Sequence, residues 1–116
     1  MSVRRIVANL KAEEPGRLAV FYRDLLGFEV LMDLGFISTL GNRAEAPVQL
    51  SLASEGGSGT DVPAISIEVD AIAPYLTRAR EMGADIAYGP VDEPWGVRRF
   101  YLRDPAGTLI NILSHH

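Results

Sequence analysis

A single order of elements occurs twice along this sequence, and this repetition limits the fold more than any other feature. Residues 3–11 alternate between apolar and polar side chains, as a half-buried strand does, and the helical pattern that follows stops at Gly27. Residues 64–70 alternate in the same way before a second helical pattern, which stops at Gly83. The two glycines are 56 residues apart, and further strand patterns follow each of them. The sequence therefore predicts an α+β fold made of two βαβββ modules, with two helices on one face of antiparallel-rich sheets.

The predicted modules are residues 1–53 and 62–116 of one domain, and the Gly- and Ser-rich stretch 54–61 is predicted to be a flexible linker. Pro15 suits the first turn of the first helix, and Asp70 is the predicted cap of the second. The apolar residues at helical spacing in the first helix are Leu18, Phe21, Tyr22 and Leu25.

Composition excludes several classes of function. The chain has 116 residues, of which 47% are hydrophobic, and this is enough for the core of one domain. Its net charge of −4 and its lack of a basic run argue against a nucleic-acid surface. It has no cysteine, so disulfides and thiolate metal sites are excluded. No apolar run approaches the roughly 20 residues of a membrane span, and no signal peptide is recognisable, so we expect a cytoplasmic protein.

Two segments resemble a known superfamily. The stretch 104–107, "DPAG", has the composition of a type I turn between two strands. Together with its surroundings, "WGVRRFYLRDPAGTLINIL", and with "FYRDLLGFEV" in the first half, it resembles the vicinal oxygen chelate superfamily. That group includes glyoxalase I, extradiol dioxygenases and the bleomycin- and fosfomycin-resistance proteins. The resemblance covers nearly the whole chain, and it implies sheets that curl around a cleft with the helices on the outer face.

In metal-dependent members of that superfamily, His, Gln or Glu side chains from the strands hold a divalent ion. The resemblance places those four positions at Val7, Gln49, Ala64 and Asn111. Alkyl groups and neutral amides are a poor replacement for imidazole and carboxylate donors. The only histidines stand at 115 and 116, where we expect either a native tail or an expression remnant without a role. The sequence therefore predicts neither a metal site nor another cofactor.

Strand alternation predicts which side chains line the cleft. The predicted ligand-binding residues are Asn9, Gln49, Ser66, Glu68, Trp95, Arg99, Tyr101 and Asn111. Trp95 and Tyr101 would stack on the ligand, and the amides would bond to it, to ordered water or to one another. Glu68 and Tyr101 are the weak catalytic candidates. Glu68 is either a general base whose pKa is raised by burial or the partner of a nearby arginine.

Three functions remain open at this point. The favoured hypothesis is a metal-free, non-enzymatic protein that resembles the bleomycin-resistance type and sequesters a medium-sized hydrophobic or aromatic molecule. By analogy it would be a homodimer with shared grooves, and antibiotic resistance would be its context. The second hypothesis is a glyoxalase-like isomerase or lyase, or a dioxygenase-related enzyme, that works without the usual metal. The third is a non-catalytic dimeric interaction module.

Overall fold

The computed structural model describes residues 2–42 and 49–116, and these residues form eight strands and two helices. In chain order they are β1 (Val3–Lys11), α1 (Pro15–Leu26), β2 (Glu29–Asp33), β3 (Ile37–Gly41), β4 (Gln49–Ala53), β5 (Ile65–Val69), α2 (Ala73–Glu81), β6 (Asp85–Asp92), β7 (Val97–Arg103) and β8 (Leu109–His115). Neither helix of the described chain has the length and hydrophobicity that crossing a membrane requires.

The chain divides into two compact units that use the same strand order. The N-terminal unit contains described residues 7–42 and 49–62, with strand order β2-β3-β4-β1. The C-terminal unit contains residues 2–6 and 63–116, with strand order β6-β7-β8-β5. In both units the first strand runs parallel to the fourth, and the other pairs are antiparallel. This identity confirms the predicted double use of one βαβββ module. Strand β1 contributes its first residues to the C-terminal unit and the remainder to the N-terminal unit.

The core of the N-terminal unit lies between α1 and the strands β3 and β4. Ala19 packs there with Leu40 and Leu52, which are both fully buried. The predicted apolar face of α1 is wider than the buried one, because Phe21 and Leu25 are 56% and 64% exposed. The contacts of α1 with this core come from Ala19, with Leu18 and Tyr22 packed against it.

The core of the C-terminal unit lies between α2 and one face of its sheet. Ile72, Leu76 and Ala79 pack on Val69 and Phe100. Each large apolar side chain buried in this way stabilises the fold by roughly 1.5–3 kcal/mol. Odd-numbered residues of β5 (Ile67, Val69) and even-numbered residues of β7 (Phe100, Leu102) belong to this core. The opposite face of these strands is therefore left for other side chains.

One local prediction is wrong. Asp70 does not cap α2, because Ile72 occupies the N-cap position and no side chain caps the helix. Asp70 Oδ1 instead accepts hydrogen bonds of 3.0 Å from the backbone N–H groups of Ser2 and Ala71. The bond from Ser2 contributes most to lowering the pKa of Asp70, to about 2. The predicted linker 54–61 contains a turn, in which Gly56 N–H donates a 2.8 Å hydrogen bond to Thr60 O, and its flexibility stays a prediction.

Gly89 in β6 lies against the neighbouring strand. Its φ is +77°, and a Cβ at this position would stand 2.7 Å from Arg99 O and 3.2 Å from Phe100 Cα. Both of these atoms belong to the backbone of the central strand β7, so they cannot move aside without breaking strand pairing. Only glycine combines this φ with such a close approach.

We expect Gly89→Ala to lower the free energy of unfolding by more than about 2 kcal/mol, because the new methyl group adds a steric overlap to the backbone strain. The matched control is Gly107→Ala, where φ is +85° but no atom lies within 4 Å of the added Cβ. The control should lose only about 1 kcal/mol. Urea unfolding measures both values, and equal losses would contradict the close approach at Gly89.

Candidate functional site

The face of the C-terminal sheet that points away from α2 carries most of the polar side chains predicted from the sequence. Side chains alternate across a strand, so the neighbours of Val69 and Phe100, which pack on α2, point to the opposite face. Strand register places Asn111 on β8 between Ser66 on β5 and Tyr101 on β7. We call this surface the polar face, and its residues are Ser66, Glu68, Arg99, Tyr101, Asn111 and His115.

Asn111 is buried in the middle of the polar face, with 6% of its surface exposed. Its Nδ2 donates a hydrogen bond of 3.0 Å to Ser66 Oγ on the neighbouring strand. Its Oδ1 is also buried, and no donor among the described residues hydrogen-bonds to it. A buried acceptor without a donor costs about 1–3 kcal/mol. A further hydrogen-bond donor at this oxygen would therefore stabilise the protein.

A buried ion pair between Arg99 and Glu93 lies on the β7 side of the polar face. The two side chains are only 4% and 3% exposed. Arg99 Nε donates a hydrogen bond of 2.8 Å to Glu93 Oε2, and Arg99 Nη1 donates one of 2.8 Å to Tyr101 Oη. The guanidinium carbon also lies 4.8, 5.1 and 5.4 Å from the ring centroids of Tyr101, Trp95 and Tyr88. These five residues form the Arg99 cluster, in which the charge is both paired and surrounded by aromatic faces.

The hairpin of β6 and β7 assembles the Arg99 cluster. The register between the two strands shifts between Tyr88 and Val91, as a β-bulge does. The bulge lets Tyr88 face Tyr101, with ring centroids 5.2 Å apart, while the chain continues to the turn. In that turn Glu93 N–H donates a 2.8 Å hydrogen bond to Val97 O, so Glu93 stands beside the strand that carries the arginine.

The structure brings the predicted ligand contacts Trp95, Arg99 and Tyr101 together but gives them different roles. Tyr101 is 1% exposed, and Tyr88 and Arg99 cover its ring. The stacking of Tyr101 on a ligand stays a prediction, and in this structure Tyr88 and Arg99 already contact the ring. The charge of Arg99 is balanced by Glu93. Trp95 and Tyr88 are both half-buried, so these two rings of the cluster keep part of their surface exposed.

Glu68 is the partner of two basic side chains. Its Oε1 accepts a hydrogen bond from Arg5 Nε, and its Oε2 lies 2.9 Å from His115 Nδ1. Burial acts to raise the pKa of Glu68, but the hydrogen bond from His115 and the charge of Arg5 outweigh it. The pKa of Glu68 therefore lies below its ordinary value of 4.5. Of the two roles left open by the sequence, the raised pKa of a general base is wrong, and the ion pair with an arginine is present.

Three members of the site have no role in the sequence analysis: Tyr88, Glu93 and His115. His115 was detectable, because β8 continues its alternation from Asn111 through Leu113 to His115. Glu93 lies in a turn, where strand alternation carries no information. Tyr88 lies next to a bulge that breaks the alternation of β6. His115 is the last residue of strand β8, and its lack of a role stays a prediction.

Asn9 and Gln49, the other two predicted ligand contacts, belong to the N-terminal unit. Asn9 on β1 is the strand partner of Ser51, and Gln49 at the start of β4 is the partner of Gly41. Beside Asn9, Ser51 Oγ and Thr39 Oγ1 are buried and 2.7 Å apart. The three predicted amides are divided between the units, because Asn9 and Gln49 belong to the N-terminal unit and Asn111 to the C-terminal unit. Asn111 bonds to Ser66 of its own unit.

The four positions at which the resemblance places metal ligands do not fit a divalent ion. Val7 and Ala64 carry no donor atom, and Gln49 offers only a neutral amide. The Asn111 amide donates its N–H to Ser66 and leaves one uncharged carbonyl oxygen. Within residues 2–42 and 49–116, no group of three His, Cys, Asp or Glu side chains is placed to hold an ion. This donor set lacks the charge and the imidazole groups that such ions require.

We expect Glu93→Gln to lower the free energy of unfolding by about 3–5 kcal/mol, because it leaves the Arg99 guanidinium buried without a counter-charge. The matched control is Asp92→Asn, because Asp92 pairs with Arg98 at 3.8 Å and both side chains are more than half exposed. The control should lose less than about 1 kcal/mol. Urea unfolding compares the two, and losses of similar size would contradict the burial of the Arg99 pair.

The lowered pKa of Glu68 predicts a pH dependence of stability. Its ionised form stabilises the fold above the ordinary pKa of 4.5, and this contribution is lost as the pH falls through the lowered value. Glu68→Gln should therefore be less stable than the wild type at neutral pH, and the difference should narrow below pH 4.5. Urea unfolding at a series of pH values measures the difference. The control Glu14→Gln, which removes the exposed pair with Arg17, should show almost none. If the stability difference between the wild type and Glu68→Gln increased as the pH fell, the lowered pKa of Glu68 would be contradicted.

Comparison with known proteins agrees with the architecture. Residues 8–112 match the family described as the Glyoxalase/Bleomycin resistance protein/Dioxygenase superfamily. No curated protein matches the sequence. A superfamily member from Vibrio splendidus 12B01 is similar in structure, with 22% identity, a TM-score of 0.64, and 97% of this chain and 99% of that chain covered. Methylmalonyl-CoA epimerase from Streptomyces coelicolor, solved with 2-nitronate-propionyl-CoA, has 19% identity, a TM-score of 0.73 and coverage of 98% and 99%.

A third similar structure is an NAD-dependent benzaldehyde dehydrogenase from Legionella pneumophila, with 13% identity, a TM-score of 0.78, and coverage of 97% of this chain and 100% of that chain. At such identities the likeness shows the fold and not the activity. The family match, in contrast, spans residues 8–112 and includes both modules. The chain therefore belongs to the Glyoxalase/Bleomycin resistance protein/Dioxygenase superfamily.

Proposed function

We propose that this protein binds a small, planar, uncharged organic molecule on the polar face of the C-terminal unit. The observation that carries the proposal is Asn111 Oδ1, a buried acceptor to which no described residue donates a hydrogen bond. A ligand with an N–H or O–H group would supply the missing donor. The binding free energy would improve by up to about 1–3 kcal/mol, which is the cost of leaving a buried acceptor unpaired.

The charges around the polar face support an uncharged ligand. Arg99 is neutralised by Glu93, and Glu68 is paired with Arg5. A charged ligand would have to break one of these pairs to find a counter-charge of its own. A neutral molecule leaves both pairs intact and still meets hydrogen-bonding groups, as is usual for sites that bind organic molecules.

The aromatic side chains support a planar ligand. Trp95 is half-buried and lies on the Arg99 guanidinium at 5.1 Å, so one side of its indole is held while part of its surface is open. A fixed indole next to a hydrogen-bonding floor orders a flat molecule at a low cost in conformational entropy. Ser66, the hydrogen-bond partner of Asn111, is also half-buried. A ligand could therefore approach the polar face from the Ser66 side of Asn111.

The proposed activity is sequestration without an intervening metal ion, in a homodimer, as in the bleomycin-resistance type. Similar structures carry the names of an epimerase and of a dehydrogenase, so fold likeness does not choose among activities. What favours plain binding is that the family's metal positions carry two alkyl side chains and two neutral amides. Sedimentation velocity tests the dimer independently of any ligand.

The experiment uses planar lactams of increasing size, beginning with oxindole, each paired with its N-methyl analogue. Binding is measured by calorimetry and by quenching of Trp95, the only tryptophan in the chain. We expect the N–H lactam to bind roughly tenfold or more tightly than its N-methyl analogue, because only the former satisfies Asn111 Oδ1.

Asn111→Ala provides the matched control. The variant should bind both members of a lactam pair with similar affinity, because the acceptor that distinguishes them is gone. Bound ligand should also raise the melting temperature of the wild type by mass action. If N–H and N-methyl lactams bind the wild type equally, or if no lactam binds, the proposal fails.

A further inference from the structure

The face of the N-terminal sheet that points away from α1 carries two buried hydroxyl groups in contact. Leu40 and Leu52 pack with α1, so their strand neighbours Thr39 and Ser51 point to the opposite side of the sheet. Thr39 and Ser51 are only 6% and 3% exposed, and Thr39 Oγ1 lies 2.7 Å from Ser51 Oγ. We call these two side chains the hydroxyl pair.

The hydroxyl pair keeps one hydrogen that no described residue accepts. Each hydroxyl group carries one hydrogen, and the bond between the two groups uses only one of them. Within residues 2–42 and 49–116, neither side chain makes a second hydrogen bond, so one buried O–H is left without an acceptor. A buried donor without an acceptor destabilises the folded protein. An acceptor atom placed against the pair would therefore be bound favourably.

Lys11, the only lysine in the chain, lies on the same face as the hydroxyl pair. Asn9 is the strand partner of Ser51, and Lys11 follows Asn9 by two residues on β1, so the three side chains share one side of the sheet. Neighbouring strands are about 4.8 Å apart and rise about 3.3 Å per residue, which places Lys11 Cα about 8 Å from Ser51 Cα. The long side chain of Lys11 can therefore bring its ammonium group to a small ligand held by the hydroxyl pair.

The charge of Lys11 has no counter-charge in the described part of the chain. Lys11 is exposed, and no described carboxylate forms an ion pair with it. Glu14, three residues further on, pairs with Arg17 at 3.0 Å instead. Arg5 and Arg99 of the C-terminal unit, in contrast, each have a carboxylate partner. A cation without a counter-charge close to an unused O–H donor is suited to an anion that also accepts hydrogen bonds.

Apolar side chains adjoin the hydroxyl pair. Met32 lies on the edge strand β2 as the strand partner of Thr39, and it is 38% exposed. Ile37, two residues before Thr39 on β3, is half-buried on the same face. The flexible thioether side chain of methionine adapts to hydrocarbon groups of different shapes. The surroundings of the pair thus favour an anion that carries an apolar group.

We propose that the N-terminal unit binds a small apolar monocarboxylic acid at Lys11, Thr39 and Ser51. A carboxylate oxygen accepts the unused O–H of the hydroxyl pair, the ammonium group of Lys11 pairs with the negative charge, and the hydrocarbon part contacts Met32. Hydrogen bonds to an ionised acceptor are stronger than those between neutral groups. The site differs from the polar face in the unit that carries it and in the charge of its ligand.

The probes are sodium acetate, butyrate and benzoate, each compared with its methyl ester, which keeps the hydrocarbon group but has no charge. Calorimetry and saturation-transfer NMR measure binding at low ionic strength, where charges are least screened. We expect benzoate to bind roughly tenfold or more tightly than methyl benzoate, because only the acid pairs with the ammonium group. Lys11→Met should lower the affinity for benzoate by a similar factor.

The matched control for Lys11→Met is Arg4→Met, which removes a positive charge from an exposed position at the start of the same strand. It should leave the affinity for benzoate unchanged. The double variant Thr39→Val/Ser51→Ala removes both hydroxyl groups and should lower the affinity at least about threefold. Because it leaves no polar group of the pair unpaired, its fold should stay intact, which urea unfolding verifies.

Three outcomes would overturn the carboxylate site. If none of the acids binds, or if benzoate and methyl benzoate bind equally, the site does not exist. If Arg4→Met loses as much affinity as Lys11→Met, net charge and not Lys11 attracts the acid. If the double variant binds benzoate as tightly as the wild type, the hydroxyl pair takes no part in binding. Lactam binding on the polar face does not enter these measurements, so either proposal can fail without the other.

Discussion

The ion pair between Arg99 and Glu93 is the interaction on which the polar face of the C-terminal unit depends. A guanidinium that is 4% exposed is stable only when a counter-charge and hydrogen bonds replace its water. Glu93 supplies the charge, Tyr101 accepts a further hydrogen bond, and three aromatic rings surround the cation. The pair therefore fixes the positions of Trp95 and Tyr101 relative to strand β7. These two rings form one side of the candidate site.

Charge pairing also determines what the polar face can offer to a ligand. Arg99 and Arg5 each have a carboxylate partner, so neither cation is available as a free anion-binding group. What the face retains is a buried amide oxygen on Asn111 and a half-exposed imidazole on His115. The family's metal-ion chemistry has no suitable donor set at the corresponding positions.

Much of the site was predictable from alternation alone. The sequence places Ser66 and Glu68 on the side opposite the helix, because Ile65, Ile67 and Val69 alternate with them in β5. Asn111 lies in the same way between Ile110 and Ile112 of β8. The pairing of Glu68 with an arginine was one of two predicted roles. Glu93 could not be predicted in this way, because it lies in a turn and a turn has no periodicity. Tyr88 could not be predicted either, because the register shift beside it interrupts the alternation of β6. The burial of Tyr101 was also missed, because a sequence does not show which neighbour will cover a ring.

The sequence by itself determined the two βαβββ modules, the ends of α1 and most of the assignment of side chains to faces. These features follow from local geometry: the period of a strand, the period of a helix and the positive φ of Gly27. Only the tertiary structure decided which charges pair, which aromatic rings are covered and which polar atom is left without a partner. Those outcomes depend on contacts such as Arg5 with Glu68, 63 residues apart, and Asn111 with Ser66, 45 residues apart. No local pattern encodes such contacts, because strand register brings their partners together only when the sheet forms.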